Sequence, residues 1–366
     1  MKSQKIMLWG WFGFKNLGDD LLLSTMLDTL ISDSTIITIP MSTKYDIEID
    51  NLKQINRNYK ELFNGAFNNE VLIIGPGGLF PFENAKKVFI YLMVTFLWKL
   101  RGHRVAYFGV GISDRMSFVS RKLWRIIASL SDLFITRSPH VIENLGLSES
   151  SKKHTMADTV FASNLSFAES YDENRVAVFV ANLKQPGMEK KYSDTVRTWQ
   201  KIVSALLDKG LAVDLFAFTK GTDEKLVSDV ATAFIKRGGV RTILYEDVLS
   251  SVTELKKYRF TISMRFHALV LSLLAEVPTI PIAYGQKTYS LAQDGGLSEY
   301  VLIWNSFQKE YYGYTQDMSV DDVMKKVDLL LLNYDEVKDN MIQETEALKL
   351  SAKSAMKQLL ELINHN

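Results

Sequence analysis

Short apolar, β-favouring runs alternate along this chain with longer stretches in which apolar positions recur at helical spacing. Lys5 to Trp9, Thr35 to Ile39, Val71 to Ile74, Arg104 to Phe108 and Leu133 to Thr136 read as strands. Between them, Asp20 to Ile31, Ala85 to Leu100 and Phe118 to Leu130 read as helices. Near-continuous apolar strands separated by helices specify a mostly parallel sheet covered on both faces. The pattern breaks into small and polar residues from Ser166 to Asn174 and then starts again. The second series has strands at Val176 to Val180, Ala212 to Phe218, Thr242 to Tyr245, Phe260 to Ser263 and Thr279 to Ile282. Its helices are expected at Ser193 to Lys209, Asp223 to Arg237, Ser250 to Lys257 and Arg265 to Ala275. Two helices follow from Val320, the last over Glu336 to Ile363.

The expectation is an α/β protein of two Rossmann-like, doubly wound domains facing a cleft, a glycosyltransferase-B-like arrangement. The domains are placed at 1–168 and 175–335, with a C-terminal helix over 336–366. A length of 366 residues agrees, since one core rarely serves more than roughly 250–300 residues.

Composition narrows the functional classes. Lys and Arg number 43 against 42 Asp and Glu, so the chain lacks the basic excess of a duplex nucleic-acid binder. There is no cysteine, which removes disulfides, thiolate nucleophiles and cysteine-ligated zinc. The start, Met1-Lys2 and then a strand-like run, shows no leader pattern. The greasiest stretch, Val88 to Leu100, is broken by Lys99 and falls short of the ~20 residues a spanning helix needs. It reads as a packed helix, with contact to a membrane surface left open.

Three segments carry candidate chemistry, each at the carboxyl end of an expected strand, where open α/β sheets bind ligands. Gly10-Trp11-Phe12-Gly13-Phe14-Lys15-Asn16-Leu17-Gly18-Asp19-Asp20 links the first strand to the first helix. Its glycines let a ligand approach the backbone, but a capped strand–helix turn explains them as well. Gly75-Pro76-Gly77-Gly78 follows the strand Val71 to Ile74 and suits either a cleft wall or a tight turn. Ser263-Met264-Arg265-Phe266-His267 is sharper. It lies at a strand-to-helix junction, where free amides favour an anion, Arg265 offers a planar fork and His267 exchanges protons near neutral pH. The bland counterpart is an interface ion pair with a structural histidine. Arg137, Asp158, Tyr284 and Lys287 also stand at or near strand ends. His103, His140, His154 and His365 show no shared spacing and no metal-ligand pattern. Trp11, Phe12, Phe14 and Phe80 are candidate sugar-stacking aromatics, although core packing explains aromatics more often.

Taken in order, these segments resemble the polysaccharide pyruvyltransferase family. Gly10, Gly13, Asn16, Gly18 and Asp19 match its opening Gly-x-x-Gly-x-x-Asn-x-Gly-Asp, and Gly75 to Gly78 resembles its glycine-rich second motif. Phe108-Gly109-Val110-Gly111-Ile112 is similar to its Gly-x-Gly-Ile segment, and Arg137, with Leu145-Gly146 beyond it, to its Arg-x-Ser stretch. Ala157-Asp158, Ser263-x-Arg265-x-His267 and Tyr284-x-x-Lys287 match the remaining motifs. Pro76 in place of a common glycine and Gly285-Gln286 within the last motif depart from the pattern.

The resemblance implies transfer of a pyruvyl group from phosphoenolpyruvate to two hydroxyls of a sugar or lipid-linked oligosaccharide, without a required nucleotide cofactor; from the residues, no metal is expected. It implies catalysis by His267 and Arg265, and a donor site of Arg137, Arg265, His267, Ser263, Lys287 and Tyr284. Gly13, Asn16, Asp19, Gly77, Gly78 and Asp158 are expected on the acceptor side and cleft. The compartment expected is the cytoplasm, with peripheral attachment at the inner face of a membrane if the acceptor is lipid-linked. A nucleotide-sugar glycosyltransferase on the same fold is the rival reading, and a non-enzymatic sugar- or lipid-binding module is a third. The oligomeric state is not readable from the sequence.

Overall fold

A computed structural model of the chain describes residues 3–46, 49–80, 84–112, 116–137, 141–182, 189–304 and 318–364. The chain forms two compact units, one of Met1–Phe14, Asp19–Asn164 and Leu348–Asn366, the other of Lys15–Gly18 and Leu165–Ala347. The split is not a single cut: four residues of the first glycine-bearing loop group with the second unit, and the end of the C-terminal helix groups with the first.

The first unit carries β1 (Gln4–Trp9), β2 (Thr35–Met41), β3 (Leu52–Asn56), β4 (Val71–Ile74), β5 (Gly77–Phe80), β6 (Arg104–Ile112), β7 (Leu133–Thr136) and β8 (Lys153–Thr155). Their order is β3-β2-β1-β4-β6-β7-β8, with β5 also on β6, and every pair is parallel. The helices are α1 (Leu17–Leu30), α2 (Tyr59–Asn68), α3 (Ala85–Leu100), α4 (Phe118–Leu130) and the single turn α5 (Val141–Asn144). Asn58, Asn84 and Ser117 start α2, α3 and α4 by accepting an amide hydrogen bond from the first turn. Between these helices and the sheet lies a core of Trp9, Trp98, Tyr107, Trp124 and Phe134. Trp9 Nε1 donates to Tyr91 Oη at 2.8 Å, and burial pushes the Tyr91 phenol up to about 12.

The second unit repeats the plan. Its strands β9 (Arg175–Phe179), β10 (Ala212–Phe216), β11 (Val240–Ile243), β12 (Thr261–Ser263), β13 (Thr279–Ala283) and β14 (Leu302–Ile303) lie in the order β11-β10-β9-β12-β13-β14, again all parallel. Counted within the unit, this is the doubly wound order 3-2-1-4-5-6, with its switch point between β9 and β12. The helices are α6 (Glu189–Asp208), α7 (Thr222–Ala231), α8 (Tyr245–Val252), α9 (Phe266–Leu274), α10 (Gln286–Asp294), α11 (Val320–Leu332) and α12 (Tyr334–Asn364), the last ending in the first unit.

Three expectations change. Gly77 to Phe80, expected as a cleft wall or a tight turn, form a short strand on β6, and α3 spans Ala85–Leu100 as expected. The helix expected at Ser250 to Lys257 lies earlier, at Tyr245–Val252, with a separate 3-10 turn at Leu255–Lys257. β6 runs to Ile112 rather than Phe108, because Gly109, at φ +59°, takes up a register shift and lets pairing resume.

Candidate active site

In the second unit, β12 delivers Ser263 and α9 starts with Arg265 as its N-cap. Residues two apart on a helix diverge, but Arg265 is extended at φ −81°, ψ 135°, before the helix begins, so Arg265 and His267 do not follow helical spacing. Ser263 is fully buried. Its hydroxyl lies among those of Thr261, Ser272 and Thr279, at 3.2, 3.4 and 3.1 Å. Expected at the donor, this hydroxyl is instead committed to the core, because the strand turns it away from the surface and three partners satisfy it there. Its part is to fix the strand end from which Arg265 projects.

The Arg265 guanidinium is paired with Asp223 in the first turn of α7. Asp223 is wholly buried and also accepts the amide of Asn182 at 3.0 Å, while Asn182 Nδ2 donates to the Thr222 carbonyl at 3.0 Å. Asn182 follows β9 and Arg265 follows β12, so this network stands at the topological switch point. Neither Asp223 nor Asn182 was expected as a site residue. The only sequence signal was an acidic residue at a helix start, which reads as dipole compensation.

The segment Lys15–Gly18 is tied to the same unit. Asn16 bridges Thr219, the Leu17 amide donates to the Phe218 carbonyl at 2.9 Å, and the Lys220 amide to the Lys15 carbonyl at 3.1 Å. Asn16 Oδ1 accepts the Gly18 amide at 3.0 Å and shapes the turn. The His267 ring lies against Gly18, and a β-carbon there would collide with Nδ1 and Cγ. Phe266 holds the ring edge-on, centroids 5.2 Å apart. Lys287 is exposed, with its ammonium 5.3 Å from the Phe266 ring, and Tyr284 lies half-buried just past β13.

In the first unit, Arg137 follows β7 and forms an ion pair with Asp158 at 2.5 Å, the two side chains 8% and 1% exposed. Asp158 Oδ1 also accepts the Val160 amide at 3.1 Å, capping a 3-10 turn. The guanidinium lies over two glycines: a β-carbon on Gly111 would stand 3.1 Å from Arg137 Nε, and one on Gly78 3.4 Å from an Nη. Gly77, at φ +114°, occupies backbone space that side chains rarely enter, and a β-carbon there would be 3.9 Å from an Asp19 carboxylate oxygen. Thus Arg137, Asp158, Gly77, Gly78 and Asp19 gather in the first unit, while Arg265, His267, Asn16 and Ser263 gather in the second. The Gly13 carbonyl accepts the Thr43 amide at 3.1 Å, so this loop lies on the chain leaving β2.

Of the aromatics, Phe12 is buried, while Trp11 and Phe14 stack at 4.2 Å and stay 43% and 37% exposed. The side chain of Phe80 lies outside the described ones. His103 is used up on the Ala66 carbonyl at 3.0 Å and His154 on that of Ser150 at 3.2 Å. His140 and His365 lie outside the described residues.

The sequence model of one family, polysaccharide pyruvyl transferase, matches residues 16–286. The chain belongs to this family. The matched span covers every candidate from Asn16 to Tyr284 and leaves Gly10, Gly13 and Lys287 outside. Among curated proteins, none matches the sequence. Solved structures share the fold at low identity. A Listeria monocytogenes protein assigned as a UDP-N-acetylglucosamine 2-epimerase has a TM-score of 0.62 at 11% identity, with 98% of this chain and 95% of that one covered. The Neisseria meningitidis UDP-GlcNAc 2-epimerase bound to UDP-GlcNAc gives 0.57 at 9%, covering 98% and 100%. A Phytolacca americana enzyme, UGT2, complexed with UDP-2-fluoro-glucose and pterostilbene gives 0.55 at 10%, covering 99% of each. The likeness establishes the glycosyltransferase-B-like fold and says nothing of the substrate.

Proposed function

We propose that this pyruvyltransferase takes phosphoenolpyruvate as donor and forms a pyruvate ketal on a sugar during surface polysaccharide biosynthesis. The observation that carries the proposal is the meeting of two motifs distant in sequence, Asn16-Leu17-Gly18 and Arg265-Phe266-His267, in the second unit. A histidine seated on a glycine beside a carboxylate-anchored arginine suits an anionic substrate that must gain and lose protons.

Arg265, fixed by Asp223, holds an anionic group of the donor, and in the first unit Arg137, fixed by Asp158, is a further anion-binding arginine. Amides at the start of α9, Tyr284 and Lys287 are secondary donor contacts. His267 delivers a proton to C3 of the enol as a sugar hydroxyl bonds to C2, and the proton of that hydroxyl returns to His267. The C2–oxygen bond to phosphate then breaks as a second hydroxyl of the same sugar bonds to C2, and its proton leaves with the inorganic phosphate. No oxidant or further cofactor is needed for this balance. Buried Asp158 positions Arg137, and Asn16 shapes the turn that carries Gly18. In the first unit, Gly13, Asp19, Gly77 and Gly78 are assigned to the acceptor side, with Trp11 and Phe14 as an exposed plate for a sugar ring. A sugar or a lipid-linked oligosaccharide fills that role.

Phosphate release from phosphoenolpyruvate, assayed over a panel of sugar glycosides and lipid-linked acceptors, tests this. His267→Ala should lower turnover by about 10²–10⁴-fold, the usual share of one acid/base group, while leaving donor binding in place. A near-normal rate would remove His267 from the mechanism. The rival reading, a nucleotide-sugar glycosyltransferase, draws on the UDP-bound structures of the same fold and predicts binding of a nucleoside diphosphate.

A further inference from the structure

α3 and α4 pack against each other over the first unit's sheet. Both follow crossovers running in one direction, β4 to β6 to β7, which places them on the same face. Their inner sides bury Tyr91, Val94, Trp98, Trp124 and Ile127. Their outer sides are unusual. Phe89, Met93, Phe96 and Leu100 recur at i, i+4, i+7 and i+11, one continuous stripe along α3, and each is between 41% and 73% exposed. Phe118, Val119 and Ile126 extend the apolar surface onto α4, also exposed. Single exposed apolar residues need no explanation, but a contiguous stripe does.

The charge on these helices is as one-sided as the hydrophobicity. α3 contains Lys86, Lys87 and Lys99, α4 contains Arg121, Lys122 and Arg125, and neither holds an acidic residue. Over the whole chain cations and anions nearly cancel, 43 against 42, so the bias belongs to this surface. Lys99 is tied to Asp132 at 2.8 Å, and Arg125 Nη2 donates to the Gly146 carbonyl at 3.4 Å. Lys86, Lys87, Arg121 and Lys122 stay exposed on the same two helices, and the Lys122 ammonium lies 4.3 Å from the centroid of the exposed Phe118 ring.

This combination selects an occupant. A second copy of the chain would bring the same cations face to face, and lysine is depleted from protein interfaces. Aromatic and aliphatic side chains bordered by lysine and arginine are the signature of a surface lying in the plane of an anionic lipid headgroup layer. Among the described residues, no helix is long and apolar enough to cross a membrane. We propose that the outer faces of α3 and α4 seat the protein on an anionic bilayer. The stripe of Phe89, Met93, Phe96 and Leu100 enters the headgroup boundary, and Lys86, Lys87, Arg121 and Lys122 meet lipid phosphates. The inference does not depend on the identity of the donor.

Co-sedimentation of the full chain with phosphatidylcholine vesicles, with and without phosphatidylglycerol, tests it. The wild type should pellet with the anionic vesicles, and less so as salt rises. Phe89→Ser with Phe96→Ser should abolish pelleting. Lys87→Glu with Arg121→Glu should weaken it by at least about tenfold, since each basic residue contributes roughly fivefold near an anionic surface. The charge pair removes no apolar contact, so it decides the matter even if the serine pair lowers stability. Phosphoenolpyruvate binding should be unchanged in both variants, which separates this test from that of the reaction. The proposal is overturned if the wild type ignores anionic vesicles, or if the variants pellet like it. It also fails if the serine pair turns a dimer into a monomer with no vesicle binding at any stage, which would make the face an interface between copies.

Discussion

The imidazole of His267 rests on the α-carbon of Gly18, leaving no room for a methyl group between them. The helix would gain from alanine at this position, since alanine is favoured over glycine by about 0.5–1 kcal/mol inside helices. Gly18→Ala should therefore not unfold α1; it should displace the histidine ring. Turnover should fall by about 10²-fold, the scale of a mispositioned acid/base group, with a melting temperature close to wild type. Steady-state phosphate release beside a thermal melt checks both. Unchanged turnover would mean that the contact is packing alone.

The Arg137–Asp158 pair makes a different kind of prediction. Both side chains are buried, so removing one partner strands a charge. Asp158→Ala should cost about 3–5 kcal/mol of stability, and it also removes the cap on the following turn. The double variant Arg137→Met, Asp158→Leu should recover most of that loss while still failing to bind donor, because apolar replacement of a buried pair is often neutral. Urea denaturation with a binding assay separates the two. Equal destabilisation of the single and double variants would contradict the stranded-charge account.

How much of this was readable from the sequence follows from what the residues do. The strands buried on both faces, such as Val71–Ile74 and Leu133–Thr136, announce themselves as apolar runs and were placed to the residue. β3, Leu-Lys-Gln-Ile-Asn, was missed because it is an edge strand with no fully buried position and shows no such run. α10 was missed because Gln286-Lys-Thr-Tyr-Ser reads as polar loop. In the candidate site, Arg265 and His267 were legible from residue type at a strand end. Asp223 and Asn182 were not, because their significance is a contact across the strand ends from Arg265, which local pattern does not carry. Ser263 was misplaced for a related reason: spacing puts it beside Arg265, while strand alternation turns its hydroxyl into the core.

Asp214, in the middle of β10, supplies a pH prediction. It is fully buried, and burial alone would raise its pKa. Hydrogen bonds from Arg241 at 2.9 and 2.5 Å and from Tyr258 at 2.8 Å, with Arg175 at 2.8 Å, hold it below the ordinary carboxylate range. A carboxylate with a depressed folded-state pKa stabilises above its unfolded value, and that stability is lost as pH falls through the folded one. Asp214→Asn should be markedly less stable than wild type at neutral pH, and the gap should narrow on acidification below about pH 4. Denaturant midpoints across that range check the sign; a gap that widens in acid would reverse it.

Arg265, its guanidinium fixed by buried Asp223 at the switch point of the second sheet, is the residue on which donor binding turns. Titration calorimetry of phosphoenolpyruvate and of uridine diphosphate into wild type and Arg265→Ala tests this. The wild type should bind phosphoenolpyruvate saturably, and the variant should lose that binding or weaken it by about 10–100-fold, as expected for a hydrogen bond to a charged group. Uridine diphosphate should give no comparable heat. Tight binding of uridine diphosphate with none of phosphoenolpyruvate would contradict the assignment and move the chemistry to nucleotide-sugar transfer.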